Sequence, residues 1–247
     1  MTQQTYLIAG ATRGIGLELT KKFAEANSAN VVIATARDLS NSKGLHALAE
    51  KLSNIKIIQL DFASEKSIDT IDKQLEALGI KGIDTFISNA AIFENKPSLF
   101  ETDGENLRRH FEVNAVGPIL IFKKVYKYLL EKETKKAIFI STLAASLSNY
   151  SIPTSSYGQS KAALNYAVLQ FSFELKDKGF TIVALHPGAV ATEGAKTAVI
   201  RMGLLDFFEA NSISTDESTT GVVKVVQGLK PEDTGKFLDY KGEEIPW

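Results

Sequence analysis

There is no cysteine in this chain, and its three histidines, His46, His110 and His186, lie far apart. Disulfides and thiolate metal sites are thereby excluded, and a histidine-based metal centre is not expected. Charge of neither sign dominates: 28 Lys and Arg face 29 Asp and Glu, a formal net charge of −1. Neither a nucleic acid nor an anionic membrane surface is an expected partner. No apolar run is long enough to span a bilayer, and residues 1–6 lack the basic-then-apolar layout of a signal peptide. A cytoplasmic location is expected. What is present is ordinary for a soluble globular protein: 44% hydrophobic and 23% charged residues over 247 positions, enough for one α/β domain with a large core.

Strand and helix patterns alternate along the chain. Short apolar runs read as strands at 6–9, 31–34, 55–60, 83–88, 137–141, 181–185 and 236–239. Helices are expected over 16–26, 43–52, from Ser64 as N-cap to Gly79, from about 103 to 131, from Tyr157 through Phe171, and over Thr215–Gly228. Wholly apolar strands separated by helices imply a parallel sheet covered on both faces. With no linker, repeat or low-complexity segment, the expected architecture is a single α/β domain spanning 1–247, a doubly wound parallel sheet of Rossmann-like type.

In such a sheet ligands bind beyond the carboxyl ends of the strands, and each strand end here carries something unusual. Gly10-Ala11-Thr12-Arg13-Gly14-Ile15-Gly16 runs from the first strand directly into a helix. Its glycines allow a sharp turn and close approach to a pyrophosphate, and the helix N-terminus offers amide donors. The spacing is G-x-x-x-G-x-G, and such turns also occur for reasons of turn geometry alone. After the second strand, Arg37 stands where an acidic residue would meet an unphosphorylated ribose. Together with Arg13 it favours NADP(H) over NAD(H); the competing reading pairs Arg37 with Asp38 on the surface. Asp61 follows the third strand, able to accept from an adenine amino group. Ser88-Asn89-Ala90-Ala91 ends the fourth, Ser141-Thr142 the fifth, and His186-Pro187-Gly188-Ala189-Val190-Ala191-Thr192 the sixth. Asn114 precedes Gly117 and Pro118 inside a long helical stretch, where proline frees a carbonyl and bends the axis.

The chemistry centres on Tyr157-Gly158-Gln159-Ser160-Lys161, at the start of an apolar helix. Residues four apart share a helix face, so the Tyr157 hydroxyl and Lys161 ammonium can occupy one small volume. A free tyrosine has a pKa of ~10, and a nearby cation favours the phenolate. Such pairs also arise by chance; the other strand ends raise the weight of this one.

Taken in order, Gly10…Gly14-Ile15-Gly16, Asp61, Asn89-Ala90-Ala91, Asn114, Ser141-Thr142, Tyr157…Lys161 and Pro187-Gly188…Thr192 resemble the short-chain dehydrogenase/reductase family over almost the whole chain. Within it, the chain is similar to carbonyl reductases of the C-factor-like and norsolorinic acid ketoreductase-like kind, whose endings resemble Gly235-Lys-Phe-Leu-Asp239…Ile245-Pro246-Trp247. Two departures stand out. Asn-Asn-Ala-Gly of the family appears as Ser88-Asn89-Ala90-Ala91. The family's Ser-Ser appears as Ser141-Thr142, with a longer loop before the tyrosine.

The resemblance implies an NADPH-dependent reduction of a ketone or aldehyde. Tyr157 would be the general acid, with Thr142 or Ser141 orienting the carbonyl. Lys161 would lower the tyrosine pKa and bind ribose hydroxyls, and Asn114 would hold a water that resupplies the proton. It places the cofactor against Gly10, Thr12, Arg13, Gly14, Ile15, Gly16, Arg37, Asp61, Asn89, Ala90, Tyr157, Lys161, Pro187, Gly188, Val190 and Thr192, and implies a homodimer or homotetramer. Phe93, residues 147–152 and residues 193–212 are the expected pocket walls; the last carry Ile200, Met202, Leu204, Leu205, Phe207 and Phe208, as a lid or as a packing surface. An NADP(H)-sensing regulator without turnover, and an epimerase or dehydratase on the same fold, are the alternative readings.

Overall fold

The computed structural model describes residues 2–94, 96, 98–149 and 154–247. Among them, seven strands form one parallel sheet: β1 (Thr5–Ala9), β2 (Val31–Ala36), β3 (Ile55–Gln59), β4 (Thr85–Ser88), β5 (Lys136–Ile140), β6 (Thr181–His186) and β7 (Phe237–Asp239). Their spatial order is β3-β2-β1-β4-β5-β6-β7. Leu7 of β1 pairs with Ile33 on one side and Phe86 on the other, so the winding direction reverses beside β1. A crevice opens at such a reversal, beyond the carboxyl ends of the strands.

The helices are α1 (Gly14–Ala26), α2 (Lys43–Lys51), α3 (Glu65–Asp69), α4 (Ile71–Ala77), α5 (Gly104–Phe111), α6 (Gly117–Leu130), α7 (Ser155–Glu174), α8 (Glu193–Arg201), α9 (Leu205–Asn211) and α10 (Thr215–Gly228). Successive strand residues point to opposite faces, and each face has its own apolar layer. Leu19, Phe23, Leu45, Val222 and Val226 of α1, α2 and α10 cover Ile8, Val32, Ile138 and Val183. Ile68, Ile71, Phe122, Val125, Leu164 and Val168 of α3, α4, α6 and α7 cover Leu7, Ile33, Phe139 and Ile182. Each such side chain contributes about 1.5–3 kcal/mol by leaving water. Phe122 lies edge-on to Phe139 and Phe171, with centroids 5.6 and 4.7 Å apart, locking α6 and α7 onto β5.

Tertiary contacts reset several boundaries expected from the sequence. The fourth strand begins at Thr85 rather than at residue 83, because the Ile83 amide bonds the Tyr128 carbonyl and the Asp84 carboxylate takes the Thr5 amide at 2.8 Å. Ser64 caps the next helix as expected, accepting from the Ser67 amide, but that helix breaks at Thr70 before Gly79 closes it with φ +70°. The expected helix over 103–131 is α5 and α6 joined by a π-helical turn, Glu112–Val116. This turn is the distortion that Pro118 announced. Gly117 closes it with no room for a side chain, since a methyl group there would strike the Phe62 carbonyl. No described helix is long and apolar enough to cross a membrane.

Candidate active site

The loop from β1 into α1 is built around glycines that nothing else could replace. Gly10 has φ +92°, in the left-handed region, and a methyl group there would meet Ala90. One at Gly16 would collide with the Gly10 carbonyl, which already accepts from Asn89 Nδ2 at 2.6 Å. Thr35 at the end of β2 holds the Gly10 amide through its hydroxyl at 2.9 Å. The ends of β1, β2 and β4 are thus bonded into one cradle. Thr192 beyond β6 lies against Gly14, and its hydroxyl caps α8 by accepting from the Ala195 amide. No side chain caps the N-terminus of α1, and its first turn carries no acid, which leaves a positive helix end facing the crevice. Half-buried Thr12 and Ile15 border it.

Arg13 and Arg37 are both exposed, and neither forms an ion pair among the described residues. Asp38 does not pair with Arg37 at close range. Its carboxylate turns back to accept from the Ser40 hydroxyl and amide at 2.7 and 2.9 Å, contacts that hold its pKa down. Asp61 is half-buried and accepts from the Ala63 amide. At the far end, Gly188 (φ +87°) packs against Ile213 and Tyr240, and buried Ser218 donates to the Pro187 carbonyl at 2.6 Å. Val190 is buried and pairs with Ile213. These features fit the phosphates, riboses and nicotinamide of a dinucleotide, with glycine donors at one end and the Pro187-Gly188 turn at the other.

β5 stops at Ile140, and the next two side chains diverge. Ser141 is buried and donates to Asn165 Oδ1 on α7 at 2.6 Å, away from the crevice. Half-buried Thr142 hydrogen-bonds the Tyr157 hydroxyl and also accepts, at 3.3 Å, from the Ala144 amide. Of the two expected hydroxyls, only Thr142 faces the tyrosine.

The Tyr157–Lys161 pair departs from its expected electrostatics. Burial pushes Tyr157 up to about 12, and the opposing influence is the Thr142 hydrogen bond rather than Lys161. Lys161, 2% exposed, spends one of its three donors on the Ile140 carbonyl at 2.8 Å, and burial brings its pKa down to about 7. Although the two residues share a helix face, the ammonium reaches the strand end, and desolvation governs its pKa. The Asn114 side chain is taken up by neighbouring groups, and its main-chain carbonyl is a separate group. Its side chain accepts from the Ile92 amide (2.8 Å) and donates to the Ile92 carbonyl (2.9 Å) and Ser160 Oγ (3.0 Å), so the amide group is spent on structure.

Of the expected walls, Phe93 touches the site directly: its ring lies 4.3 Å from that of Tyr157, tilted by 30°. Leu147 is 79% exposed, and residues 150–152 lie outside those described, as does the Phe207 side chain. Within residues 193–212, Val199 and Phe208 are buried and Ile200 is exposed on α8. Asn106, His110, Ser156 and Ser160 were not singled out from sequence, although the four-residue spacing of Asn106, His110 and Asn114 marks one helix face.

A doubly wound parallel sheet with a glycine cradle at the reversal point and a Thr-Tyr-Lys group beside it defines a Rossmann-like oxidoreductase. The chain belongs to the short chain dehydrogenase family, whose model matches residues 4–201. It is 40% identical to an uncharacterized oxidoreductase of Saccharomyces cerevisiae, over 97% of this chain and 96% of that one. It is 32% identical to the C-signal protein of Myxococcus xanthus, over 67% of this chain and 93% of that one. Among solved structures, the NADPH-bound carbonyl reductase from chicken fatty liver is similar along the full length of both chains, with a TM-score of 0.88 and 28% identity.

Proposed function

We propose that this oxidoreductase is an NADPH-dependent carbonyl reductase, acting on a ketone or aldehyde with Tyr157 as general acid. The carrying observation is the Thr142–Tyr157 hydroxyl pair at the carboxyl edge of the sheet, beside the glycine cradle and the buried Lys161. Likeness to an NADPH-bound carbonyl reductase supports the same reading.

Gly10, Gly14, Gly16 and the first turn of α1 would hold the pyrophosphate. Arg13 and Arg37, which form no ion pair among the described residues, would grip the 2′-phosphate. Asp61 would face the adenine, Asn89 and Ala90 would line the ribose path, and Pro187, Gly188, Val190 and Thr192 would border the nicotinamide. Lys161 has two further donors for the ribose hydroxyls. When bound, the dihydronicotinamide supplies a hydride to the carbonyl carbon and leaves an alkoxide oxygen.

The protein's part is to place the carbonyl and deliver a proton. Thr142 orients the substrate oxygen, and a Tyr157 with a pKa pushed up to about 12 stays protonated at neutral pH. An alkoxide is more basic still, so the proton passes from the Tyr157 oxygen to the substrate oxygen and completes the alcohol. The transient phenolate is stabilised by Thr142. Resupply runs through Lys161 and the main-chain carbonyl of Asn114, the group to which Pro118 can offer no N–H. Cofactor and catalytic groups share the one domain, and a homodimer or homotetramer is the working assembly.

A panel of aldehydes, ketones and quinones, followed by loss of NADPH absorbance, tests this reading. Turnover of some members is expected. Tight NADPH binding with no turnover across the panel would favour a cofactor-sensing regulator instead.

A further inference from the structure

Phe93 is held in place to an unusual degree for a loop residue. The backbone of Ile92 before it is bonded on both sides by the Asn114 side chain, N–H to Oδ1 and C=O from Nδ2. The backbone of Glu94 after it is bonded in the same way by two other residues. The Glu94 amide donates to His110 Nε2 at 3.1 Å, and the Glu94 carbonyl accepts from Asn106 Nδ2 at 2.9 Å. Asn106, His110 and Asn114 lie four residues apart, so they stand on one face of α5 and the π turn. The same row also grips α7 on either side of Tyr157. Ser156 Oγ donates to Asn106 Oδ1 and lies 3.3 Å from His110 Nδ1, while Ser160 Oγ accepts from Asn114. His110 is wholly buried, bonding the Asn106 carbonyl through Nδ1. One polar row thus fixes both the helix that carries Tyr157 and the loop whose Phe93 ring lies tilted against it.

We propose that Phe93 is the specificity-determining residue of this site, with His110 and Asn106 as the positioning residues that hold it over Tyr157. A ring whose main chain is held on both sides closes one side of the approach to the hydroxyl. It admits flat aryl aldehydes and ketones substituted on one side, and excludes carbonyl compounds branched on both sides. The proposal rests on the reading of Tyr157 as the acid.

The test compares benzaldehyde with diisopropyl ketone, measuring kcat/KM for each with NADPH. Phe93→Ala raises the ratio of ketone to aldehyde by at least about tenfold, the scale on which hydrophobic pocket contacts discriminate. His110→Ala moves the ratio the same way, and His110→Gln, which keeps an acceptor for the Glu94 amide, restores it towards the parent. A ratio within twofold of the parent in Phe93→Ala overturns the proposal, and so does a His110→Ala that melts like the parent and leaves the ratio unchanged. If the parent reduces no carbonyl compound at all, the functional reading fails by itself. The wall is then judged by ultraviolet titration of Tyr157, identified by difference from Tyr157→Phe. Its midpoint falls in Phe93→Ala if the ring covers the hydroxyl, and an unmoved midpoint refutes the wall.

Discussion

Replacing Thr142 by valine keeps the branched shape and removes the hydroxyl that bonds Tyr157. Donors aimed at developing oxyanion charge are worth roughly 2.7–4 kcal/mol, so kcat/KM should fall by about 10²–10³-fold. The fold should suffer little, because among the described residues the other hydrogen bond of this hydroxyl is a long one, 3.3 Å from the Ala144 amide. Thr142→Ser retains both contacts and should retain most activity. Ser141→Ala should show the opposite balance. It removes a 2.6 Å bond to Asn165, whose Nδ2 has no partner among the described residues, and so leaves a buried amide with neither end satisfied there. That costs about 1–3 kcal/mol of stability, or roughly 2–4 °C in Tm per kcal/mol for a chain of this size, with only a mild change in turnover. The assay is NADPH consumption alongside thermal unfolding for all three variants. A Ser141→Ala enzyme that melts normally and has lost activity, beside an active Thr142→Val, would refute the reasoning.

Tyr157→Phe should still bind NADPH while turnover falls by at least ~10²-fold; near-parental turnover would remove the tyrosine from the mechanism. Arg37→Asp should weaken NADPH by about ten- to a hundredfold, from a charge-assisted contact worth roughly 1.5–3 kcal/mol, with NADH much less affected; an NADPH affinity within twofold of the parent counts against it. Lys161 has a folded pKa of about 7 against 10.5 for the free side chain. Between those values the unfolded chain binds more protons, so this group makes stability rise with pH across that window. Lys161→Met should flatten that rise in urea midpoints, and parallel curves for the two proteins would show that the ammonium is not desolvated as described.

The sequence alone determined the seven strands and six helical stretches in their order, because periodicity and turn chemistry are local properties, but not α8 and α9 or the breaks at Thr70 and Glu112–Val116. Apolar runs such as residues 31–34 and glycine at position 79 say what they are without reference to distant contacts. It also determined which residues meet at the carboxyl edge, since alternation of strand and helix leaves a doubly wound sheet few other arrangements. Tyr157 and Lys161 share a face by helical spacing, and that much was readable. Their pKa values were not, because desolvation depends on everything packed around them: Lys161 found the Ile140 carbonyl and Tyr157 found Thr142. Which of Ser141 and Thr142 lies beside Tyr157 likewise needed the tertiary structure, for it turns on where β5 stops and on Asn165 waiting across the interface. Asn114 looked like a free polar group beside a proline, and only folding revealed that Ile92 and Ser160 consume its amide. His110, dismissed as a metal ligand, gained its place because α5 brought it under the Phe93 loop, a contact that no local pattern encodes.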